Sequence, residues 1–198
     1  MRISQEYWVP LRTRALHPRT WRPFLRGLYE CAASMMMASL LVFGLFTFAG
    51  KPVCVAGDSM KPTLHNGEWL FVSSLNPRLH RGRIVVIAEG EELRKPIVKR
   101  LIALPGDTVD IDFDKGEVIV NGSILREPYV AGPTTRSADV TFPVTVPQGK
   151  CFVLGDNRGD SLDSRFRSVG MVEINKVVGE AQARILPLRQ WKKLNAGF

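Results

Sequence analysis

Residues Cys31 to Ala49, CAASMMMASLLVFGLFTFA, run nineteen positions without a charge. Roughly 20 apolar residues are needed to cross the hydrocarbon core of a bilayer, so this run is expected to be a transmembrane helix. Before it, residues 1–30 carry Arg2, Arg12, Arg14, Arg19, Arg22 and Arg26 against only Glu6 and Glu30, which is half of the chain's formal net charge of +8. A basic flank beside an apolar span is a topology signal that keeps its side cytoplasmic. That accounts for the charge without a nucleic-acid partner, and none is expected. A cleavable secretory signal is the rival reading. The run is longer than the usual apolar region of such a signal, its arginines are widely spread, and Lys51-Pro52-Val53-Cys54 lacks suitably spaced small residues. The expected organisation is therefore a cytoplasmic basic segment (1–30), a retained plasma-membrane anchor (31–49) and an extracytoplasmic domain (50–198). Trp21, Phe24 and Tyr29 are expected near the inner interface.

The 198 residues suffice for one catalytic domain plus an anchor. Past residue 50 the hydrophobic period drops to two. Trp69–Val72, Ile84–Ile87, Ile97–Ile102 and Cys151–Leu154 read as strands. Glu117–Leu125 reads as a hairpin, because Asn121-Gly122 suits a type I′ turn. Proline and glycine punctuate the runs, and Thr134–Asp139 reads as a polar loop. Only the tail offers a weak helical candidate. The fold class is mainly β: one N-terminal helix, then an all-β domain of short antiparallel strands. The three cysteines, Cys31, Cys54 and Cys151, show no zinc spacing. Cys54 and Cys151 read as buried free thiols on strands, with a disulfide between them left open.

Gly57-Asp58-Ser59-Met60-Lys61-Pro62-Thr63-Leu64 puts a serine about ten residues beyond the apolar run. A serine nucleophile needs a base. His65 and His80 lie in polar, turn-like surroundings with no obvious orienting carboxylate. Lys99 is the stronger candidate. In a strand over 97–102 it shares a face with Ile97 and Leu101, while Arg100 points the other way with Val98 and Ile102. Apolar neighbours disfavour the ammonium form, and full burial can lower a lysine pKa by about 3–5 pH units. A neutral lysine can take a serine proton.

The serine box just quoted, Arg81-Gly82-Arg83-Ile84-Val85-Val86, Val98-Lys99-Arg100-Leu101-Ile102-Ala103-Leu104-Pro105-Gly106-Asp107 and Leu154-Gly155-Asp156-Asn157-Arg158-Gly159-Asp160-Ser161-Leu162-Asp163-Ser164-Arg165 together resemble the successive boxes of the type I signal peptidases, in order, across nearly the whole outer domain. The short chain with one anchor resembles the compact bacterial forms. The resemblance implies a serine endopeptidase that removes signal peptides from translocated preproteins, cleaving after small residues through an acyl-enzyme. It implies Ser59 as nucleophile and Lys99 as general base, with Ser161 orienting the lysine and Asp163 and Arg165 as a bracing ion pair. Val55, Met60, Leu64 and Val98 are implied in shallow substrate pockets. Gly57 stands where many relatives carry a serine that helps hold the oxyanion, and Arg83 where an acid is usual. No metal or cofactor is implied; the expected partners are preproteins and membrane lipid, and the oligomeric state is open. Gly155–Asp160 could pass for a calcium loop, but lacks the spacing and distal glutamate of an EF-hand. Two rivals remain. A catalytically idle, anchored signal-peptide-binding protein would look similar. A self-cleaving protease of the LexA type shares the chemistry but would need a DNA-binding N-terminus. Trp69 and Phe71 read as core or sheet surface, with contact to lipid as the alternative.

Overall fold

The computed structural model describes residues 21–73, 79–88, 95–187 and 192–194. The uncharged run forms a helix, α1, Trp21–Ala49, that begins ten residues ahead of it. Over Trp21–Gly44 its mean hydropathy is 1.4, and it is long and apolar enough to cross a membrane. Its side chains from Trp21 to Phe43 are almost all exposed. The chain divides into two compact units, residues 1–43 and 44–198.

Alternating, β-branched runs build the second unit. The strands are β1 Lys51–Cys54, β2 Trp69–Ser73, β3 Ile84–Ile87, β4 Ile97–Ala103, β5 Thr108–Asp112, β6 Glu117–Val120, β7 Ser123–Ile124, β8 Val144–Thr145, β9 Lys150–Leu154, β10 Val172–Glu173, β11 Val177–Leu186 and β12 Lys192–Lys193. They form two antiparallel sheets. The larger runs β1-β2-β11-β3-β4-β9-β10, with β12 added on β11; the smaller runs β7-β6-β5-β8. The mainly β class read from the sequence is correct, and the four strand runs fall where the alternation put them. Asn121 (φ 52°) and Gly122 (φ 77°) both adopt positive φ, as a type I′ hairpin turn requires.

β3 is the centre of the large sheet. All four of its residues are buried, so both of its faces are covered. One face packs with Val55, Met60, Leu64, Leu70, Val72 and Ala181 beneath the serine turn. The other carries Val85, Ile87, Leu101 and Val153. A third cluster joins the small sheet to the ends of β4 and β9, closed by Phe142 edge-on to Phe113 and Phe152.

Three expectations are corrected. Cys54 is exposed rather than buried; Cys151 is buried; all three cysteines are free. Lys192–Lys193 in the tail is a short strand paired with Ala183–Arg184 rather than part of a helix; residues 188–191 and 195–198 of the tail lie outside the described residues. The longest strand, β11, has no counterpart in the sequence reading. Gly179 interrupts its pattern where the chain passes so close to Ser73 that a Cβ would lie 2.2 Å from its carbonyl oxygen. Glu180, buried beside Arg83 at 3.5 Å, occupies what would otherwise be an apolar position. Trp69 is 40% exposed and Phe71 half-buried, at the sheet surface.

Candidate active site

The chain from β1 continues to Val55, which exchanges backbone hydrogen bonds with Glu68 and Gly67. The intervening segment therefore closes a tight excursion, and Ser59 sits in it. Lys61 N–H donates to Asp58 O and Leu64 N–H to Met60 O, which gives the turn its own internal ladder. Met60 and Leu64 anchor it in the apolar cluster below. Gly57 holds φ +90°, a conformation that glycine adopts without Cβ strain, and its N–H donates to Asn66 Oδ1 at 3.0 Å.

Lys99 lies on β4 directly across from Val85 of β3. It is 3% exposed, and its Nζ lies 2.7 Å from Ser59 Oγ. Burial pushes the lysine pKa down from 10.5 to about 8; Arg165 acts in the same direction, and Asp163, Asp156 and Asp160 oppose it. Desolvation leads because an ammonium loses more hydration on burial than a neutral amine. At pH 7 about a tenth of such a lysine is neutral, against less than a thousandth at its ordinary pKa.

The segment after β9 packs against both residues. Asn157 N–H donates to Ser59 O at 3.0 Å, and Asn157 Nδ2 to Asp58 O at 3.2 Å. Gly155 lies so close that an added Cβ would sit 2.5 Å from the Ser59 carbonyl oxygen and 2.2 Å from Ser161 Oγ. Ser161 is thereby placed beside the serine turn. Its Oγ is buried and makes no hydrogen bond. The orienting bond to Lys99 is thus not formed in this structure. Asp163 and Arg165 are fully buried and pair at 2.9 Å. Asp163 also accepts Gly155 N–H at 3.0 Å, and Arg165 donates to the carbonyls of Arg158 and Arg136. The pair thereby ties both ends of the 155–165 loop together. Asp156, the first acid of this loop, is fully buried against Arg100.

Val55, Met60, Leu64 and half-buried Val98 do meet, in the single apolar cluster under the turn. Val55, Met60 and Leu64 are all buried, so half-buried Val98 keeps the most open surface of the four.

Several buried polar residues here were not singled out from sequence. Arg100 forks onto Asp156, with Nε to Oδ1 at 2.7 Å and a terminal nitrogen to Oδ2 at 2.6 Å. Thr63 donates to the same Oδ2. Arg158 pairs with Glu127 and Thr134. The alternation that buries Lys99 on one face of β4 buries Arg100 on the other, and a buried guanidinium demands a carboxylate. That requirement was a usable signal for Asp156.

Residues 28–186 match the family model described as signal peptidase, peptidase S26. A signal peptidase I of Bacillus licheniformis is 38% identical over 177 residues, covering 84% of this chain and 93% of that protein. Signal peptidase I S of Bacillus subtilis (strain 168) is 35% identical, covering 86% and 95%. A crystal structure of a signal peptidase I from Enterococcus faecalis V583 aligns with 52% of this chain and 97% of that one, at 32% identity and a TM-score of 0.45. The chain belongs to the signal peptidase family, peptidase S26. Within it, the chain is of the type I class, a serine endopeptidase.

Proposed function

We propose that Ser59 and Lys99 are a catalytic dyad that removes signal peptides from translocated preproteins. The observation that carries this is the 2.7 Å approach of a buried lysine, its pKa lowered to about 8, to a serine hydroxyl. The preprotein's cleavage region adds as an extended strand along β1, which ends the large sheet and carries no further strand on its outer edge among the described residues. Small side chains at the first and third positions before the scissile bond are admitted over the apolar floor of Val55, Met60 and Val98. Larger ones meet Met60 and the wall behind it.

Neutral Lys99 takes the Ser59 proton as Oγ attacks the scissile carbonyl. The backbone N–H of Ser59 donates to the oxyanion. Lys99 then protonates the leaving amine, and an acyl ester remains on Ser59. A water attacks that ester; Lys99 takes its proton and returns it to Oγ, releasing the signal peptide. Ser161 supports Lys99 during these transfers, and Asp163 with Arg165 holds the loop that carries it.

The arginine flank stays cytoplasmic, residues 31–49 cross the plasma membrane, and residues 50–198 face outward in contact with lipid. Tethering confines enzyme and membrane-held substrate to one surface, which raises effective concentration. The test compares preprotein processing by the full-length wild type, Ser59→Ala and Lys99→Met in lipid vesicles. Both variants are expected to lose at least three orders of magnitude in rate. Near-normal processing by either one defeats the dyad.

A further inference from the structure

Lys99 and Arg100 are chain neighbours on β4, and strand alternation sends them to opposite faces. Both return to the same turn. Lys99 reaches Ser59 directly. Arg100 reaches it through Asp156, because the Thr63 hydroxyl, four residues beyond the nucleophile, donates to Asp156 Oδ2 at 2.5 Å. A carboxylate offers about four acceptor positions; Arg100 takes one on each oxygen and Thr63 takes a further one on Oδ2. Arg100 is itself held from other directions. It donates to Gly82 O at 2.6 Å, and its guanidinium lies 3.8 Å over the Tyr129 ring. The contacts therefore close a ring: Ser59, the turn, Thr63, Asp156, Arg100, Lys99, and back to Ser59 Oγ. The turn forms one stiff arm through its Met60–Leu64 backbone bond. The strand forms the other.

We propose that Thr63 is a positioning residue for the dyad, and that its bond to the arginine-held carboxylate fixes the height at which Ser59 meets Lys99. This rests on the dyad reading above. The hydroxyl is the separable link in the ring. The Arg100–Asp156 pair neutralises itself with or without Thr63, so losing the hydroxyl leaves no unpaired buried charge. Removing Arg100 or Asp156 would leave one, and would disturb the fold along with the geometry. Misplacing a reacting group by about 1 Å can cost 10²-fold in rate. The link joins Thr63 to Asp156, and neither is placed under the substrate, so the loss is expected in kcat rather than in KM.

The test uses full-length protein in lipid vesicles with a purified preprotein, for Thr63→Val, Thr63→Ser and Thr63→Ala. Thr63→Val keeps the shape and loses the hydroxyl; its kcat is expected to fall about 30- to 100-fold, with KM within threefold of wild type. Thr63→Ser keeps the hydroxyl and is expected within threefold of wild type in both. Thr63→Val within twofold of wild type in kcat overturns the proposal. So does Thr63→Ser falling as far as Thr63→Val, and so does a loss in Thr63→Val accounted for by its unfolded fraction. Should Thr63→Val fail to fold, Thr63→Ser and Thr63→Ala decide it, since both lack the methyl and differ by the hydroxyl: equal kcat overturns the proposal. Ser59→Ala and Lys99→Met run alongside. Their inactivity with a fully active Thr63→Val sinks the positioning role alone, whereas their activity sinks the dyad itself.

Discussion

Gly155→Ala adds one methyl group, and its consequence can be worked from two distances. The new Cβ would lie 2.5 Å from the Ser59 carbonyl oxygen and 2.2 Å from Ser161 Oγ. A serine side chain can rotate away, but the Ser59 carbonyl is backbone and accepts a hydrogen bond from Asn157 N–H. Relief to an ordinary contact of about 3.4 Å requires the nucleophile turn and the 155–157 segment to part by roughly 0.9 Å. That displacement acts on the residue whose Oγ must stay 2.7 Å from Lys99 Nζ. At about 10²-fold per ångström of misplacement, kcat/KM should fall about 50- to 100-fold. Overpacking of this kind costs about 1–3 kcal/mol of stability, so most of the protein should remain folded. The assay is steady-state cleavage of a preprotein by the full-length enzyme, with acylation of Ser59 by a serine-directed inhibitor as a second readout and thermal unfolding as control. Cleavage and acylation both within threefold of wild type would refute the argument that Gly155 is required by close approach.

Because the base works neutral and burial sets its pKa at about 8, kcat/KM should climb about tenfold per pH unit below 8 and level off above it. A flat profile from pH 6 to 9 would contradict a lysine base. Asp160 is exposed and one of the groups raising the Lys99 pKa, so Asp160→Asn should move the acidic limb of that profile to lower pH, an effect that weakens in high salt. Asp163→Asn leaves Arg165 buried without its counter-charge; breaking such a pair costs about 3–5 kcal/mol, and calorimetry should record a drop in Tm of about 6–20 °C. Ser161→Ala removes a buried hydroxyl that makes no hydrogen bond. Its Tm should therefore hold or rise, while kcat falls by at least tenfold if the hydroxyl engages Lys99 during turnover; a lowered Tm with unchanged kcat would reverse that assignment.

The legible parts of this chain are those where one local rule decides. Nineteen uncharged residues fixed a helix. Period-two runs fixed β2, β3, β4 and β9, and Asn121-Gly122 fixed a hairpin. β11 escaped because it is specified by long-range fit. Its Gly179 answers to the Ser73 carbonyl of another strand, and its Glu180 lies beside Arg83 on the chain leading into a third. Cys54 lies on a strand as expected but is exposed; β1 ends the sheet and, among the described residues, pairs with β2 alone. At the site, the boxes located Ser59, Lys99 and the loop that packs on them. Asp156, Thr63 and Asn157 went unread there because their roles arise from contacts across the fold, the longest of them spanning 99 positions.

The same geometry explains how a lysine can be buried among so many charges and still lose its proton. The carboxylates nearest in effect, Asp163 and Asp156, both raise its pKa, and left alone they would hold the ammonium. Each is already engaged. Arg165 grips Asp163 at 2.9 Å, and Arg100 forks onto Asp156. Arg165 also acts on Lys99 directly, lowering its pKa against Asp163. Arg165 offsets part of the pull of these carboxylates, and desolvation remains as the leading cause. Isolated acids at these two positions would keep the ties to Gly155 and Thr63 but would hold the proton on the base. Isolated apolar residues would leave the lysine neutral but would forfeit those ties. Hydrogen-bonded ion pairs satisfy both requirements, which is why buried Asp163 and Asp156 each come with a guanidinium close to an amine that must give up its proton.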